Sequence, residues 1–234
     1  LAEKLSLESS LTDSLKKLNE VSGKKIRRLT EKCSGGKATC KDLAVCSVCN
    51  DTYGKLADHT FNGDGIDIDR CRYVTISNCR IDTSDDCITL RASAAHKLAD
   101  PHDCECVTVT NCNLSSSCNA IRLGVGEGNI HDAVFSNLTI SDTKQAFNIV
   151  AAYVRGNRGT DIYGIRFNNI RVQANELVRI HHMHSPAATI KDIVFDGICG
   201  SVKYTSKLWA KQAAPFTDIV FRNVDVPTDI ECVN

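Results

Sequence analysis

The chain has 234 residues, which is enough for one sizeable domain with a buried core. Lysine and arginine together number 28, as do aspartate and glutamate, so the formal net charge is zero. This balance argues against a partner such as nucleic acid or an anionic membrane surface, because proteins of both kinds carry a basic excess. No apolar run approaches the roughly 18 residues of a membrane span. No signal-peptide pattern is visible, and the sequence leaves the compartment, cytoplasmic or secreted, open.

Residues 1–50 differ in character from the rest of the chain. Leucines and a valine follow helical spacing at Leu11, Leu15, Leu18 and Val21. This pattern predicts a short amphipathic helix, which could cap the open end of a solenoid. We therefore divide the chain into an atypical helical, cysteine-containing segment at 1–50 and a main domain at 51–234.

The 13 cysteines are numerous and odd in number. Disulfide frameworks are usual in short secreted chains, whereas this chain is long enough to build its own core. We predict mostly reduced thiols that pack as small hydrophobic residues. The group formed by Cys33, Cys40, Cys46 and Cys49 with His59 has a loosely zinc-like content, but only CSVC (46–49) has the short spacing of a zinc site. We predict no metal site and no cofactor.

The sequence repeats itself from Val74 onward. Six segments align: VTISNCRI (74–81), VTVTNCNL (107–114), AVFSNLTI (133–140), IRFNNIRV (165–172), IVFDGICG (193–200) and IVFRNVDV (219–226). Each segment begins with the apolar alternation of a strand and then reaches a polar bend. Five of the six have asparagine at that bend: Asn78, Asn111, Asn137, Asn169 and Asn223.

Short strands, a recurring bend residue and unequal insertions predict an all-β fold, a right-handed parallel β-helix. Asparagine suits such a bend because it tolerates the left-handed conformation and can hydrogen-bond to its counterpart in the next coil. A leucine-rich repeat would need a helix or a leucine-rich consensus in each repeat, and the sequence has neither. In the β-helix alignment one inward column contains two cysteines and four aliphatic residues: Cys79, Cys112, Leu138, Ile170, Ile198 and Val224.

Side chains fill the centre of a β-helix, so we expect its chemistry on an outer face. The second half-repeats align as NGDGIDID (62–69), TSDDCITL (83–90), SCNAIRLG (117–124), QAFNIV (145–150) and LVRIHH (177–182). In this register three outward columns form. The first contains Asp64, Asp86 and Asn119; the second contains Thr89, Arg122, Asn148 and Arg179; the third contains Arg91, Gly124, Val150 and His181.

Three carboxylates, those of Asp64, Asp85 and Asp86, are expected on coils about 4.8 Å apart. Close like charges raise the pKa of at least one carboxyl group, which separates an acid from bases. Cleavage of a glycosidic bond needs this division of roles. The pattern favours a catalytic group, and the alternative is that these residues cap turns or bind Ca²⁺ between coils.

The motifs NGDGID (62–67) and SDDCI (84–88) resemble those of the glycoside hydrolases of family 28, which include polygalacturonases and rhamnogalacturonan hydrolases. The resemblance runs from about residue 58 to 226. It implies a right-handed parallel β-helix and an inverting hydrolase that needs no metal. It also implies that Asp85 is the general acid and that Asp64 and Asp86 position and deprotonate a water molecule. The expected partner is a pectin-like or related plant polysaccharide or oligosaccharide, and we expect a monomer.

The chain departs from this family in two motifs. A Gly-His-Gly motif of the polygalacturonases is replaced here by residues 118–120, with Asn119 in the histidine position, and their Arg-Ile-Lys carboxylate clamp is replaced by residues 148–150. Arg122 lies in the clamp column one coil early, and Arg179 lies one coil late. We predict five substrate-binding residues: Asn119, Arg122, Asn148, Arg179 and His181. Tyr153 and Trp209 are candidates for stacking on sugar rings.

Two other functional classes stay open at this stage. A β-helix lyase or a uronate epimerase would need a base beside a charge-neutralising group, and Arg122 with His181 is the candidate pair. A degenerate, non-catalytic carbohydrate-binding β-helix is the second alternative.

Overall fold

The computed structural model describes residues 63–93, 103–156, 158–184, 188–210 and 216–233. All regular elements in these ranges are strands: β1 (Ile66–Asp69), β2 (Arg72–Ser77), β3 (Arg80–Thr83), β4 (Ile88–Ala92), β5 (Cys104–Thr110), β6 (Asn113–Ser116), β7 (Asn119–Gly126), β8 (Asn129–Val150), β9 (Asp161–His181), β10 (Lys191–Val202), β11 (Ser206–Trp209), β12 (Thr217–Asp225) and β13 (Ile230–Val233). Within the described residues, no helix has the length and apolar character to cross a membrane. The predicted N-terminal helix, the cysteines between 33 and 49 with His59, and the proposed boundary at residue 50 lie outside these ranges.

The strands pair in parallel and coil into a single solenoid. The path β1-β4-β7-β8-β9-β10-β12 forms one series of neighbours, while β2 pairs with β5 and β3 pairs with β6. Strand β8 is long enough to pair successively with β5, β6 and β7 along its length, so it runs through all faces of its coil. The fold is the right-handed parallel β-helix that the sequence predicts.

The predicted bend asparagines all adopt the left-handed conformation. Their φ angles are 57° at Asn78, 56° at Asn111, 54° at Asn137, 51° at Asn169 and 49° at Asn223, and the fifth repeat, which has no asparagine there, has Gly197 at 65°. Asparagine and glycine tolerate this region better than other residues. The Asn169 Nδ2 atom donates to Asn137 Oδ1 at 2.7 Å, so the predicted contact between coils is present here. We call these six residues the bend column.

A second left-handed column, at the start of the same repeats, was not predicted. It contains Tyr73, Cys106, Asp132, Gly164, Asp192 and Asp218, with φ between 50° and 67°. The strand registers on either side place these residues in equivalent positions of successive coils. Aspartate occurs in three of the six coils, at Asp132, Asp192 and Asp218, but the other three have different residues, so the repeat is weaker than that of the bend asparagines.

The centre of the coil is packed in columns. Four phenylalanines stack in successive coils, Phe135 on Phe167, Phe167 on Phe195 and Phe195 on Phe221, with ring centroids 5.0, 4.7 and 4.8 Å apart. The predicted inward column is also present, since Leu138 pairs with Ile170 and Ile170 with Ile198, and Cys79 and Cys112 are buried. None of the nine cysteines in the described residues forms a disulfide: Cys71, Cys79, Cys87, Cys104, Cys106, Cys112, Cys118, Cys199 and Cys232. Four of them, Cys79, Cys87, Cys104 and Cys112, are buried as small core residues, as predicted, whereas Cys199 and Cys232 are exposed.

Candidate active site

The first two predicted outward columns lie in the predicted register. In one, Asn119 pairs with Gln145 and Gln145 with Glu176. The Gly65 amide donates to Asp86 O at 2.8 Å, which places Asp64 beside Asp86. We call Asp64, Asp86, Asn119, Gln145 and Glu176 the carboxylate column. In the other, which we call the arginine column, Thr89 pairs with Arg122, Arg122 with Asn148 and Asn148 with Arg179.

The third predicted column is only partly right. Val150 pairs with His181 as expected. The β4–β7 register shifts between Leu90 and Ala92, because Leu90 pairs with Leu123 whereas Ala92 pairs with Gly126. Strand β7 therefore has one extra residue opposite Arg91, and the simple alignment of Arg91 with Gly124 does not hold. A single-residue bulge of this kind leaves no mark in an alternating pattern.

Neighbouring coils hold the turn that carries Asp85 and Asp86. Thr83 Oγ1 donates to Asp85 O at 2.6 Å, and Ser116 Oγ of the next coil donates to the same oxygen. On the other side the Asp85 amide donates to Gly63 O at 3.3 Å. A Cβ atom on Gly65 would lie 2.4 Å from Cys87 O, so only glycine permits this close approach beside Asp64.

Asp86 is buried and fully engaged by its neighbours. Its exposed fraction is 2 %. Asn119 Nδ2 donates to Oδ1, and Arg122 Nη1 lies 3.1 Å from Oδ2. Thr89 Oγ1 also donates to Oδ2, at 3.5 Å. Burial raises the pKa of the Asp86 carboxyl, while the Arg122 charge and the Asn119 hydrogen bond act in the opposite direction.

Asp64 and Asp85 are half-buried and lie at the more open side of this group. Burial, together with the charges of Asp67, Asp85 and Asp86, raises the pKa of Asp64 to about 6. Mutual repulsion within the carboxylate group is the effect that the sequence predicts. Asp67, which contributes to it from the next outward position of β1, was not among the predicted residues. The structure therefore brings the three predicted carboxylates together.

The two arginines of the arginine column are both paired. The Arg122 guanidinium contacts Asp86 and lies over the Tyr153 ring, 4.1 Å from its centroid. Arg179 Nη2 lies 2.6 Å from Glu176 Oε1, and its Nε donates to Glu176 Oε2 at 3.1 Å. Gln145 Nε2 donates to the same Glu176 Oε2 at 3.2 Å. Gln145, the first residue of the aligned segment QAFNIV, and Glu176, which directly precedes LVRIHH, were not among the predicted residues.

Comparison with known proteins adds a family to this geometry. Residues 14–234 match the family model described as Glycosyl hydrolases family 28. The chain belongs to this family. No curated protein and no solved structure gave a match. The family predicted from NGDGID and SDDCI is confirmed, and membership supports a glycosidase-like function.

In this family 28 chain a cysteine, Cys118, lies next to Asp85 and Asp86. The Sγ atom of Cys118 and carboxylate oxygens of Asp85 and Asp86 all lie within 4.8 Å of one another. Burial, the charges of Asp86 and Asp85 and a hydrogen bond to Asp85 raise the pKa of Cys118 to about 12, so the thiol keeps its proton. Asp86, one of these three residues, already has the Arg122 guanidinium as its cationic partner, with Nη1 3.1 Å from Oδ2. Cys118 was missed because it directly precedes Asn119, on which the motif comparison rested.

The histidines of this family 28 chain do not converge. His181 lies edge-on to Trp209, with ring centroids 5.9 Å apart. His182 is buried, and its Nε2 atom lies 2.8 Å from Ala188 O, whereas His184 is exposed. Burial, followed by the charges of Arg179 and Arg122, lowers the pKa of His181 to about 4. His181 is thus a neutral side chain at the end of the outward face near pH 7.

Proposed function

We propose that this chain is an inverting glycoside hydrolase that acts on a pectin-like or related plant polysaccharide or oligosaccharide. Asp85 is the general acid, and Asp64 and Asp86 position and activate the attacking water. The observation that carries this proposal is the gathering of Asp64, Asp85 and Asp86 on one outward face, where their charges act on one another. Family membership supports the reaction class.

The two outer carboxylates suit the two proton transfers. A glycosidic oxygen leaves more readily when an acid protonates it, while a base on the other side takes a proton from water. Asp64, whose pKa is raised to about 6, is ionised near pH 7 yet is a stronger base than an ordinary aspartate. The proposal therefore requires room for a water molecule between Asp64 and the acid Asp85. Inverting enzymes need such a gap.

Asp86 has a different role, because its carboxylate is nearly enclosed. Asn119, Arg122 and Thr89 fix both of its oxygens. A group held in this way can orient a water molecule, whereas a sugar ring is too large to reach it. Arg122 keeps the negative charge of Asp86 compensated during this task. Arg122, which the sequence assigned to substrate binding, is in this proposal a positioning residue.

The test is a screen of plant glycans with wild type and Asp85→Asn. Proton NMR of the first products should show that the new reducing end has the anomeric configuration opposite to that of the cleaved bond. Loss of the general acid should lower kcat by about 10²- to 10⁴-fold. Asp82→Asn is the matched control, because Asp82 is an exposed aspartate in the same coil on β3. It should leave kcat unchanged.

Four outcomes would contradict the proposal. Unsaturated products that absorb ultraviolet light would indicate a lyase. Retention of the anomeric configuration would exclude the inverting mechanism. Equal rates for wild type and Asp85→Asn would show that Asp85 is not the general acid. Failure to cleave any glycan would show that the chain is not a glycan hydrolase.

A further inference from the structure

The outward face around the carboxylates contains guanidinium groups that are already compensated. Arg91 Nη1 lies 2.7 Å from Asp67 Oδ2. Arg122 is paired with Asp86, and Arg179 is paired with Glu176. Arg91, Arg122 and Arg179, the arginines next to the carboxylates in the described residues, thus each have a carboxylate of the chain itself as partner.

A substrate carboxylate could recruit one of these arginines only by displacing its partner. Removing Arg122 would leave Asp86 as a buried and uncompensated charge, since the two side chains are 13 % and 3 % exposed. Arg179 directs both Nε and Nη2 at Glu176, which is the edge that grips a carboxylate in a bidentate way. Asp64, Asp67 and Asp85 would in addition repel the incoming anion.

The arginine column continues past Arg179 to Lys207, whose Nζ atom lies 3.9 Å from Glu231 Oε2, whereas the neighbouring Asn148 and His181 side chains carry no charge near pH 7. Asn148 occupies the position between Arg122 and Arg179, and its Oδ1 atom has no hydrogen-bond partner among the described residues. His181 is uncharged near pH 7. The Asn148 amide can donate and accept hydrogen bonds but supplies no positive charge, so it suits the hydroxyl groups of a neutral sugar better than a carboxylate.

Two aromatic rings lie beside Arg122, Asn148 and Arg179, and we call this part of the outward face the wall. Tyr153 is 42 % exposed and lies against Arg122, while the Arg179 guanidinium lies 5.6 Å from the centroid of the Trp209 ring. Aromatic rings at such borders offer an apolar face together with a polar edge. An uncharged sugar, with apolar C–H faces and hydroxyl rims, matches these features.

We propose that the sugar unit that binds against Arg122, Asn148 and Arg179 is a neutral one, such as a hexose, deoxyhexose or pentose, and not a uronate. This inference rests on the proposed hydrolase function and narrows its substrate. Lys144 is an exposed cation that precedes the carboxylate column along β8, whereas Asn148 follows that column. Lys144 therefore lies outside the part of the outward face that the proposal concerns.

A matched pair of substrates tests the proposal. Acidic plant glycans are compared with the same glycans after chemical reduction of each C6 carboxylate to a primary alcohol, so that linkage and stereochemistry are unchanged. The wild-type enzyme should cleave the reduced form with a kcat/KM at least about tenfold higher than that of the acidic form, since one lost charge contact is worth this factor or more. A higher kcat/KM for the acidic form overturns the inference but leaves the hydrolase intact. Cleavage of neither form, nor of any neutral glycan, overturns both.

A gain-of-charge variant supplies a second readout. Asn148→Lys places in the wall a cation that has no carboxylate partner of its own. It should shift the ratio of the two kcat/KM values towards the acidic form by about tenfold. Thr108→Lys adds the same charge at an exposed position of β5 and should leave the ratio unchanged. An unchanged ratio in folded Asn148→Lys, or a preference for acidic glycans that Lys144→Ala abolishes, would show that this wall does not select the charge.

Discussion

The bend column and the carboxylate column are both stacks of polar residues on successive coils, yet they are built in opposite ways. The bend column repeats asparagine in five of six coils, and every member has φ between 49° and 65°. The carboxylate column changes its residue in almost every coil, from aspartate to asparagine, glutamine and glutamate.

The difference separates a demand of the backbone from a demand of chemistry. A bend needs the same left-handed conformation in each coil, so the same residue solves the same problem repeatedly. The members of the carboxylate column do not need the left-handed conformation. Their side chains have different partners, such as Arg122 for Asp86 and Arg179 for Glu176. Changes in the two columns should therefore have different sizes and different dependences on pH.

The largest effect on stability should come from Arg122→Met. This variant removes the partner of a buried carboxylate, and the free energy of unfolding should fall by about 3–5 kcal/mol at pH 7. The loss should shrink at low pH, where Asp86 takes up a proton. Urea unfolding at pH 7 and pH 4.5 measures both values.

Two further variants control this prediction. Arg122→Met/Asp86→Leu removes the whole pair and should recover most of the lost stability. Arg166→Met breaks a pair with Asp192 that is 37 % and 48 % exposed, and should cost at most about 1 kcal/mol. If Arg122→Met lowers the free energy of unfolding by no more than Arg166→Met does, the buried Asp86 carboxylate does not depend on Arg122 to compensate its charge.

A smaller effect is expected in the bend column. Asn169→Ala places a residue with a Cβ atom in the left-handed region, at φ 51°, and also removes the hydrogen bond to Asn137. The free energy of unfolding should fall by about 1–2 kcal/mol. Asn169→Gly keeps the conformational freedom and should retain more stability than the alanine variant.

Activity separates this bend variant from changes in the carboxylate column. Asn169→Ala should leave the rate of glycan cleavage at its wild-type value below the unfolding transition. Arg171→Ala, at an exposed position of the same strand, provides the baseline and should change stability by no more than about 0.5 kcal/mol. If Asn169→Ala is as stable as Arg171→Ala, the left-handed backbone conformation of the bend column does not require asparagine.

The same contrast explains how far the sequence could be interpreted. Repetition made the bend asparagines, the inward column of Cys79 and Leu138, and the outward register of Arg122 and Asn148 predictable, because each follows from period two and from stacking. The second left-handed column was missed, because only three of its six residues, Asp132, Asp192 and Asp218, share a residue type. The Arg122–Asp86 and Arg179–Glu176 pairs were missed for another reason, since register fixes which coils meet but not which side chains turn towards each other.

The last prediction concerns Asp64 and the pH dependence of stability. In the unfolded chain its pKa is near 3.8, and in the folded protein burial and the neighbouring carboxylates raise it to about 6. The folded state therefore binds this proton more tightly, so the Asp64 contribution to the free energy of unfolding decreases as pH rises from about 4 to about 6 and is constant above that. The side chain of Asp64→Asn does not titrate. The Tm of this variant should therefore rise relative to that of wild type as pH increases from about 4 to about 6. Asn169→Ala changes no titrating group, so its Tm should differ from that of wild type by a constant amount over the whole range. Parallel curves for Asp64→Asn and wild type would show that the carboxylate column does not perturb Asp64, and the raised basicity that the proposed mechanism uses would then be absent.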